Sequence, residues 1–268
     1  MEKRIVYKNW AFTYDIYGNS NSLKALLLIG GYLNSGPKFW IRQIRNQDFC
    51  QKYKIIIPDG FSGSAVGKST GNNNIEDVVE AYHSIVINEG CAAVSLVGFS
   101  FGCCILDVYC YLHGEYVDNI ALISPAFRAS FRYWGCLNFA EEMLGKDIEL
   151  ESVLKFLLLQ TISEEECEIS RGSIGNILSM FLKHNTRETL TNVINMMKSP
   201  LIEESYRISN RGIAFFGEKD DVSPAQLQGR IKEHFSCLEE YVFENAGHTL
   251  LIFYSGKINE MIQAIFIT

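Results

Sequence analysis

The stretch Ala92-Ala93-Val94-Ser95-Leu96-Val97-Gly98-Phe99-Ser100-Phe101-Gly102-Cys103-Cys104-Ile105-Leu106-Asp107-Val108-Tyr109 decides the reading of this chain. Its first part is a short apolar run of the kind that fits a strand buried on both faces. Its last part is a helix-like run. Gly98-Phe99-Ser100-Phe101-Gly102 sits between them and permits only a tight strand-to-helix turn. A glycine on either side leaves room for the neighbouring strand and helix, while the central residue is held on strained backbone. Ser100 then projects its hydroxyl out of the turn at the start of the helix.

Working outward, similar apolar runs recur. Ala25-Leu26-Leu27-Leu28-Ile29 ends in Gly30-Gly31, and Lys54-Ile55-Ile56-Ile57-Pro58-Asp59 follows it. Asn119 to Ile123, Gly212 to Gly217 and Glu240 to Phe243 complete the set. The segment from Arg4 to Tyr17 alternates and reads as a hairpin broken near Lys8-Asn9. Helical patterns separate the runs. Ile75, Val78, Val79, Tyr82, Ile85 and Val86 mark one helix face, with Asn74 as N-cap and Glu76 and Asp77 in its first turn. Residues 225–235 and 258–267 also read as helices. Strands alternating with helices predict a mostly parallel, doubly wound α/β sheet.

The alternation stops over 126–210. Residues 139–144, 153–160, 174–182 and 189–197 are helix-like, and Ser163 with Glu166 forms a capping box at a further helix start. This stretch is read as a helical insertion in a core made of 1–125 and 211–268.

Bulk properties narrow the function classes. The 268 residues suit one domain with an insertion, and 47% hydrophobic content supports a sizeable core. A net charge of −7 argues against nucleic acid as a partner and gives no attraction to an anionic membrane. No run approaches the roughly 20 apolar residues of a spanning helix. The first residues, Met1 to Tyr7, hold no apolar core of signal-peptide length, so the expected location is cytoplasmic. The eight cysteines form no C-x-x-C and no zinc-ligand spacing, which predicts free thiols packed as small hydrophobes and no metal.

A serine hydroxyl is a weak nucleophile and needs a base plus a group that orients the base. Of the histidines, His83 and His113 fall in predicted helices, His234 near the end of one, and His184 in the insertion. His248 lies instead in the loop Asn245-Ala246-Gly247-His248-Thr249 after the last strand. The loop Gly217-Glu218-Lys219-Asp220-Asp221-Val222-Ser223-Pro224 follows the fifth buried strand, at the sheet edge where such folds place functional groups. Asp220 and Asp221 are adjacent and point different ways, so only one reaches His248. For an oxyanion, the backbone N–H of Phe101 is one donor, and the N–H of Tyr32 or Gly31 in Gly30-Gly31-Tyr32-Leu33-Asn34-Ser35-Gly36 is the second.

Together these residues resemble the α/β-hydrolase superfamily over nearly the whole chain. Leu27 to Tyr32 with Trp40 is similar to the family's oxyanion strand and loop. Pro58-Asp59-Gly60-Phe61 through Gly67-Lys68-Ser69 is similar to its next strand and loop. Gly98 to Gly102 matches its nucleophile elbow, and Gly247-His248 its histidine loop. Gly217-x-x-Asp220-x-x-x-Pro224 matches the acid loop and favours Asp220 over Asp221. The chain order Ser100, Asp220, His248 is also the family's order. The resemblance implies a lidded serine hydrolase that needs no cofactor, with the insertion as the lid. One departure stands out: members usually carry a histidine where this chain has Gly30.

The expected activity is hydrolysis of an ester or thioester of a mainly hydrophobic acyl substrate. The substrate is a small acyl compound, with coenzyme A and carrier-protein thioesters as candidates on grounds of compartment alone. The lid aromatics Phe131, Tyr133, Trp134, Phe139, Phe156 and Phe181 are available for an acyl pocket, though at least half should build the lid's own core. Acyl transfer, carbon–carbon bond hydrolysis and non-catalytic ligand binding are the alternatives. A phosphate-binding loop at Gly63 to Thr70 is disfavoured, because Ser62 occupies the place where the first glycine is required.

Overall fold

The computed structural model describes residues 2–8, 10–33, 36–58, 64–65, 74–146, 148–169, 174–198 and 206–267. The loop resembling the family's next strand and loop, and the Gly63 to Thr70 stretch, lie outside them apart from Pro58, Ser64 and Ala65; so do Asn34 and Ser35. The strands among the described residues are β1 (Glu2–Tyr7), β2 (Trp10–Gly18), β3 (Lys24–Ile29), β4 (Lys54–Pro58), β5 (Ser64–Ala65), β6 (Ala93–Phe99), β7 (Val117–Ile123), β8 (Arg211–Gly217) and β9 (Leu238–Phe243). They form one sheet in the order β1-β2-β4-β3-β6-β7-β8-β9, with β5 paired to β2. Pairing is parallel from β4 through β9. The hairpin β1–β2 and its pairings to β4 and β5 are antiparallel. The expected mostly parallel α/β sheet is therefore the observed one.

The helices before β7 are α1 (Ile41–Ile44), α2 (Gln47–Lys52), α3 (Ile75–Asn88) and α4 (Gly102–His113). Between β7 and β8 come α5 (Phe131–Gly145), α6 (Leu150–Leu159), α7 (Glu164–Ile169), α8 (Ile174–His184) and α9 (Arg187–Lys198), with no strand among the described residues. After β8 follow α10 (Gly229–His234), α11 (Leu250–Phe253) and α12 (Ser255–Phe266). The helix expected over 225–235 is broken. Ala225–Leu227 forms a 3-10 turn and only Gly229–His234 is α-helical.

Strand β3 shows why continuous apolar runs mean a covered sheet. Ala25, Leu27 and Ile29 join the cluster built with α3 and α4, while Leu26 and Leu28 join the opposite one with α2 and α12. None of these side chains is more than 1% exposed. Burying each leucine contributes about 1.5–3 kcal/mol, so a shift of this strand would forfeit both cores at once. Helix α3 starts where expected: the Asn74 side chain accepts the Asp77 N–H at 2.7 Å. The capping box also forms. The Ser163 N–H donates to Glu166 Oε2 at 2.9 Å, and the Glu166 N–H donates to Ser163 Oγ at 3.2 Å. No helix among the described residues is long and apolar enough to cross a membrane.

Candidate active site

The turn between β6 and α4 is as tight as its glycines imply. Ser100 has φ 53°, left-handed backbone that a residue with a Cβ adopts only under constraint. Its N–H donates to the Ile123 carbonyl at 2.8 Å and its carbonyl accepts from Ala126 N–H at 3.3 Å, so β7 holds the turn. A Cβ on Gly98 would lie 2.9 Å from the Gly102 carbonyl oxygen. One on Gly102 would collide with the carbonyl oxygens of Ile29 and Gly30. The head of α4 thus packs directly on the end of β3, which brings the Gly30-Gly31-Tyr32 loop beside Ser100. A Cβ on Gly31 would be 3.2 Å from that of Ser100.

Strands β8 and β9 deliver the other two groups to the same edge. Gly217 ends β8 against the Ala246 and Gly247 carbonyls, with no room for a side chain. Lys219 N–H donates to the Ala246 carbonyl at 2.9 Å, and Asn245 N–H donates to the Glu218 carboxylate at 2.9 Å. The two loops are therefore joined, and His248 faces Asp220.

The contacts form a relay. His248 Nε2 is 2.7 Å from Ser100 Oγ, and His248 Nδ1 is 2.8 Å from Asp220 Oδ2. Asp220 Oδ1 accepts the N–H groups of Val222 at 2.9 Å and Ser223 at 3.0 Å. Ser223 Oγ donates to Oδ2 at 3.1 Å and lies 3.3 Å from His248 Nδ1. Ser100 and His248 are each 2% exposed and Asp220 5%. Burial works against a charge on Asp220. The His248 ring and the hydrogen bonds from His248 and Ser223 outweigh it and hold the carboxyl below its ordinary range. An ionised Asp220 can only accept, so Nδ1 carries the ring hydrogen and Nε2 is left to accept the Ser100 hydroxyl.

Asp221 points away, paired with Arg132 at 3.1 Å, and both side chains are more than 70% exposed. Phe101 stands at the N-cap of α4. Tyr32 is buried, and its hydroxyl accepts from Tyr133 at 2.5 Å. Burial pushes both phenols up, so neither ionises near neutral pH.

The remaining histidines have partners elsewhere. His83 stacks on His113 with ring centroids 3.7 Å apart and lies 2.9 Å from the Tyr109 hydroxyl. His234, buried rather than at the surface, faces Asp107 beside Arg230. The His184 ring packs on Gly36, where a Cβ would be 2.5 Å from its Cε1. Cys103 and Cys104, next to the elbow, are fully buried, and burial pushes both thiols up. They pack as hydrophobes.

A small cavity of about 20 Å³ beside Ser100 is lined by Gly31, Tyr32, Leu33, Phe39, Phe99, Phe181 and Thr249, together with Thr161 and His248. Of the lid aromatics, Phe181 lines it. Phe131 is 95% exposed and faces solvent, while Phe139 is half-buried with its ring edge-on to Phe156. A second cavity of about 230 Å³ is polar, lined by Gln160, Ser163, Glu164, Glu165, Lys219 and Asp221, and reaches Gly247 and His248. Sequence reasoning missed Ser223. Its signal was a hydroxyl three residues after an aspartate, a spacing that lets the turn fold back on the carboxylate.

The family model of the α/β hydrolase fold matches residues 24–254, a span that includes the elbow, the acid loop and the histidine loop. The chain belongs to the α/β-hydrolase fold family. Three solved structures show how far the likeness extends. MGS-M2, an α/β-hydrolase enzyme from a Medee basin deep-sea metagenome library, superposes with a TM-score of 0.85 at 15% identity, covering 99% of this chain and 98% of its own. The 2-hydroxy-6-oxo-6-phenylhexa-2,4-dienoate hydrolase of Rhodococcus sp. strain RHA1 has a TM-score of 0.81 at 18% identity, with 100% and 99% coverage. A thermophilic esterase from Thermogutta terrifontis has a TM-score of 0.79 at 15% identity, with 98% and 97% coverage. At these identities the α/β-hydrolase likeness concerns the fold. No curated protein sequence matches the chain.

Proposed function

We propose that the protein is a serine hydrolase cleaving an ester or thioester of a mainly hydrophobic acyl substrate, with Ser100, His248 and Asp220 as its triad. The observation that carries this reading is the unbroken relay from Ser100 Oγ to His248 Nε2 and from His248 Nδ1 to Asp220 Oδ2, at 2.7 and 2.8 Å. Ser100 Oγ attacks the acyl carbon while His248 Nε2 takes its proton. Asp220 keeps the ring in the tautomer that leaves Nε2 basic and offsets the charge it gains. The oxyanion forms at the head of α4, where the Phe101 N–H and the helix dipole favour negative charge. A second N–H comes from Gly31 or Tyr32, whose loop abuts Ser100. His248 then protonates the leaving group, and a water repeats the sequence to release the acid.

The segment 126–210 serves as the lid. Its part in shaping the acyl site is supported by Phe181 of α8 and Thr161 in the wall of the apolar cavity. A fluorophosphonate probe tests the reading. Wild-type protein is expected to label at Ser100 and Ser100→Ala to lose the label. An unlabelled wild type favours a non-catalytic binding protein. A panel of aryl esters and acyl thioesters of graded length then ranks the acyl and leaving groups. Product analysis separates hydrolysis from acyl transfer and carbon–carbon cleavage.

A further inference from the structure

The histidine loop is gripped from the insertion as well as from the acid loop. At the end of α6, the Thr161 carbonyl accepts the His248 N–H at 3.1 Å and the Thr249 hydroxyl at 3.4 Å. Two residues on, Ser163 Oγ donates to the Asn245 carbonyl at 3.3 Å. Asn245 is itself in left-handed backbone, φ 57°, a turn conformation that asparagine adopts readily. The Glu166 carboxylate closes the grip. It is 1% exposed, and a Cβ on Gly247 would be only 2.7 Å from its Oε2 and from Ser163 N. Burial pushes this carboxyl up, while the hydrogen bond it accepts from the Ser163 N–H opposes the rise. One carboxylate therefore caps the start of α7 and packs against Gly247, the residue immediately before His248.

We propose that Glu166 is a positioning residue for His248: its buried carboxylate, held by the Ser163 capping box, fixes the Gly247–His248 backbone so that the ring meets Ser100 and Asp220 together. This rests on the triad reading given above. A capping box alone only starts a helix, and any residue that preserves α7 would then do. Here the box also holds the histidine loop, whose placement sets the relay distances: Ser163 Oγ bonds the Asn245 carbonyl, 82 residues on, and the Glu166 carboxylate packs against Gly247. A shift of about an ångström in a reacting group costs on the order of 100-fold in rate.

The test uses the full chain as Glu166→Ala, Glu166→Gln and Ser163→Ala. Three readouts are taken: kcat and KM on an aryl ester, circular dichroism for folding, and the downfield proton resonance of the His248–Asp220 hydrogen bond. Glu166→Ala is expected to lower kcat about 10- to 100-fold with KM within about threefold, and to shift or broaden the resonance. Glutamine keeps the acceptor oxygen and should stay within about threefold of wild type with the resonance in place. Ser163→Ala should fall between the two. A folded Glu166→Ala protein with wild-type kcat and an unmoved resonance overturns the proposal. So does Glu166→Gln failing as badly as Glu166→Ala. Should Glu166→Ala not fold, Glu166→Gln and Ser163→Ala decide alone, and a wild-type resonance and kcat in Ser163→Ala would count against the grip. The resonance needs no turnover. Failure of the triad reading, seen as an active Ser100→Ala protein, is thereby kept apart from failure of this one.

Discussion

Replacing Asp220 by asparagine separates orientation from bulk at this site. The two carboxylate oxygens have unequal surroundings. Oδ1 accepts two backbone N–H groups, at 2.9 and 3.0 Å, and only an oxygen satisfies both. The asparagine amide must therefore turn its NH₂ toward the Oδ2 position, 2.8 Å from His248 Nδ1. Facing a donor, Nδ1 gives up its hydrogen and becomes an acceptor. The hydrogen moves to Nε2, which then donates to Ser100 Oγ and cannot take its proton. The fold is kept and the base is lost. The expected fall in kcat is on the order of 10⁴, equivalent to about 5 kcal/mol of barrier. Asp221→Asn removes only an exposed ion pair with Arg132, worth about 0–1 kcal/mol in stability and nothing in the relay. Its rate should stay within about twofold of wild type. Initial rates on an aryl ester, with a thermal melt to verify folding, make the comparison. A folded Asp220→Asn protein within about tenfold of wild type would refute the tautomer argument.

Gly102→Ala forces a methyl group against the Ile29 and Gly30 carbonyls, which are backbone and cannot rotate away. It should cost about 1–3 kcal/mol or more and lower Tm by several degrees, whereas an unchanged melt would mean the elbow packs differently. Glu166 has a raised folded pKa, so the native state holds its proton more tightly than the unfolded chain does. Its burial therefore costs stability progressively as pH rises from the ordinary carboxyl range through the folded value. The Tm of Glu166→Gln minus that of wild type should accordingly increase between pH 4 and 7 on the order of a few degrees, and a difference that shrinks with rising pH contradicts the sign. Native thiol titration should modify Cys237, which is exposed, well before the buried Cys103, Cys104 and Cys110. Activity should survive it; loss of activity on modifying a single thiol would give the cysteines a role they lack here.

Much of this protein is legible one residue at a time. The buried strands announce themselves because both faces of each are covered, so β3, β4 and β6 to β8 read as mainly apolar runs. The elbow is legible because sterics at Gly98, Ser100 and Gly102 are local, and the Asn74 cap and Ser163–Glu166 box are legible because their bonds span three residues. Local reading fails where cooperation between distant segments decides. Residues 225–235 carry one local warning, the glycine at 229, but the break is set by Gln228, which turns its amide across to the Arg128 carbonyl and the Phe127 N–H, and the α-helix begins only after it. Asp220 and Asp221 are chemically identical neighbours. The backbone N–H groups of Val222 and Ser223 fold one inward to His248, and Arg132 of α5 draws the other outward.

The sequence by itself determined the sheet, the strained serine turn and the roster of groups able to react, because periodicity and glycine sterics act over a few residues. Only the tertiary structure decided which carboxylate meets His248, that the Ser223 hydroxyl also reaches the His248 ring, and that the Ser163–Glu166 box packs against the histidine loop. Those are contacts between residues 25 to 82 positions apart, and hydrogen bonds of that kind leave no local pattern in a chain.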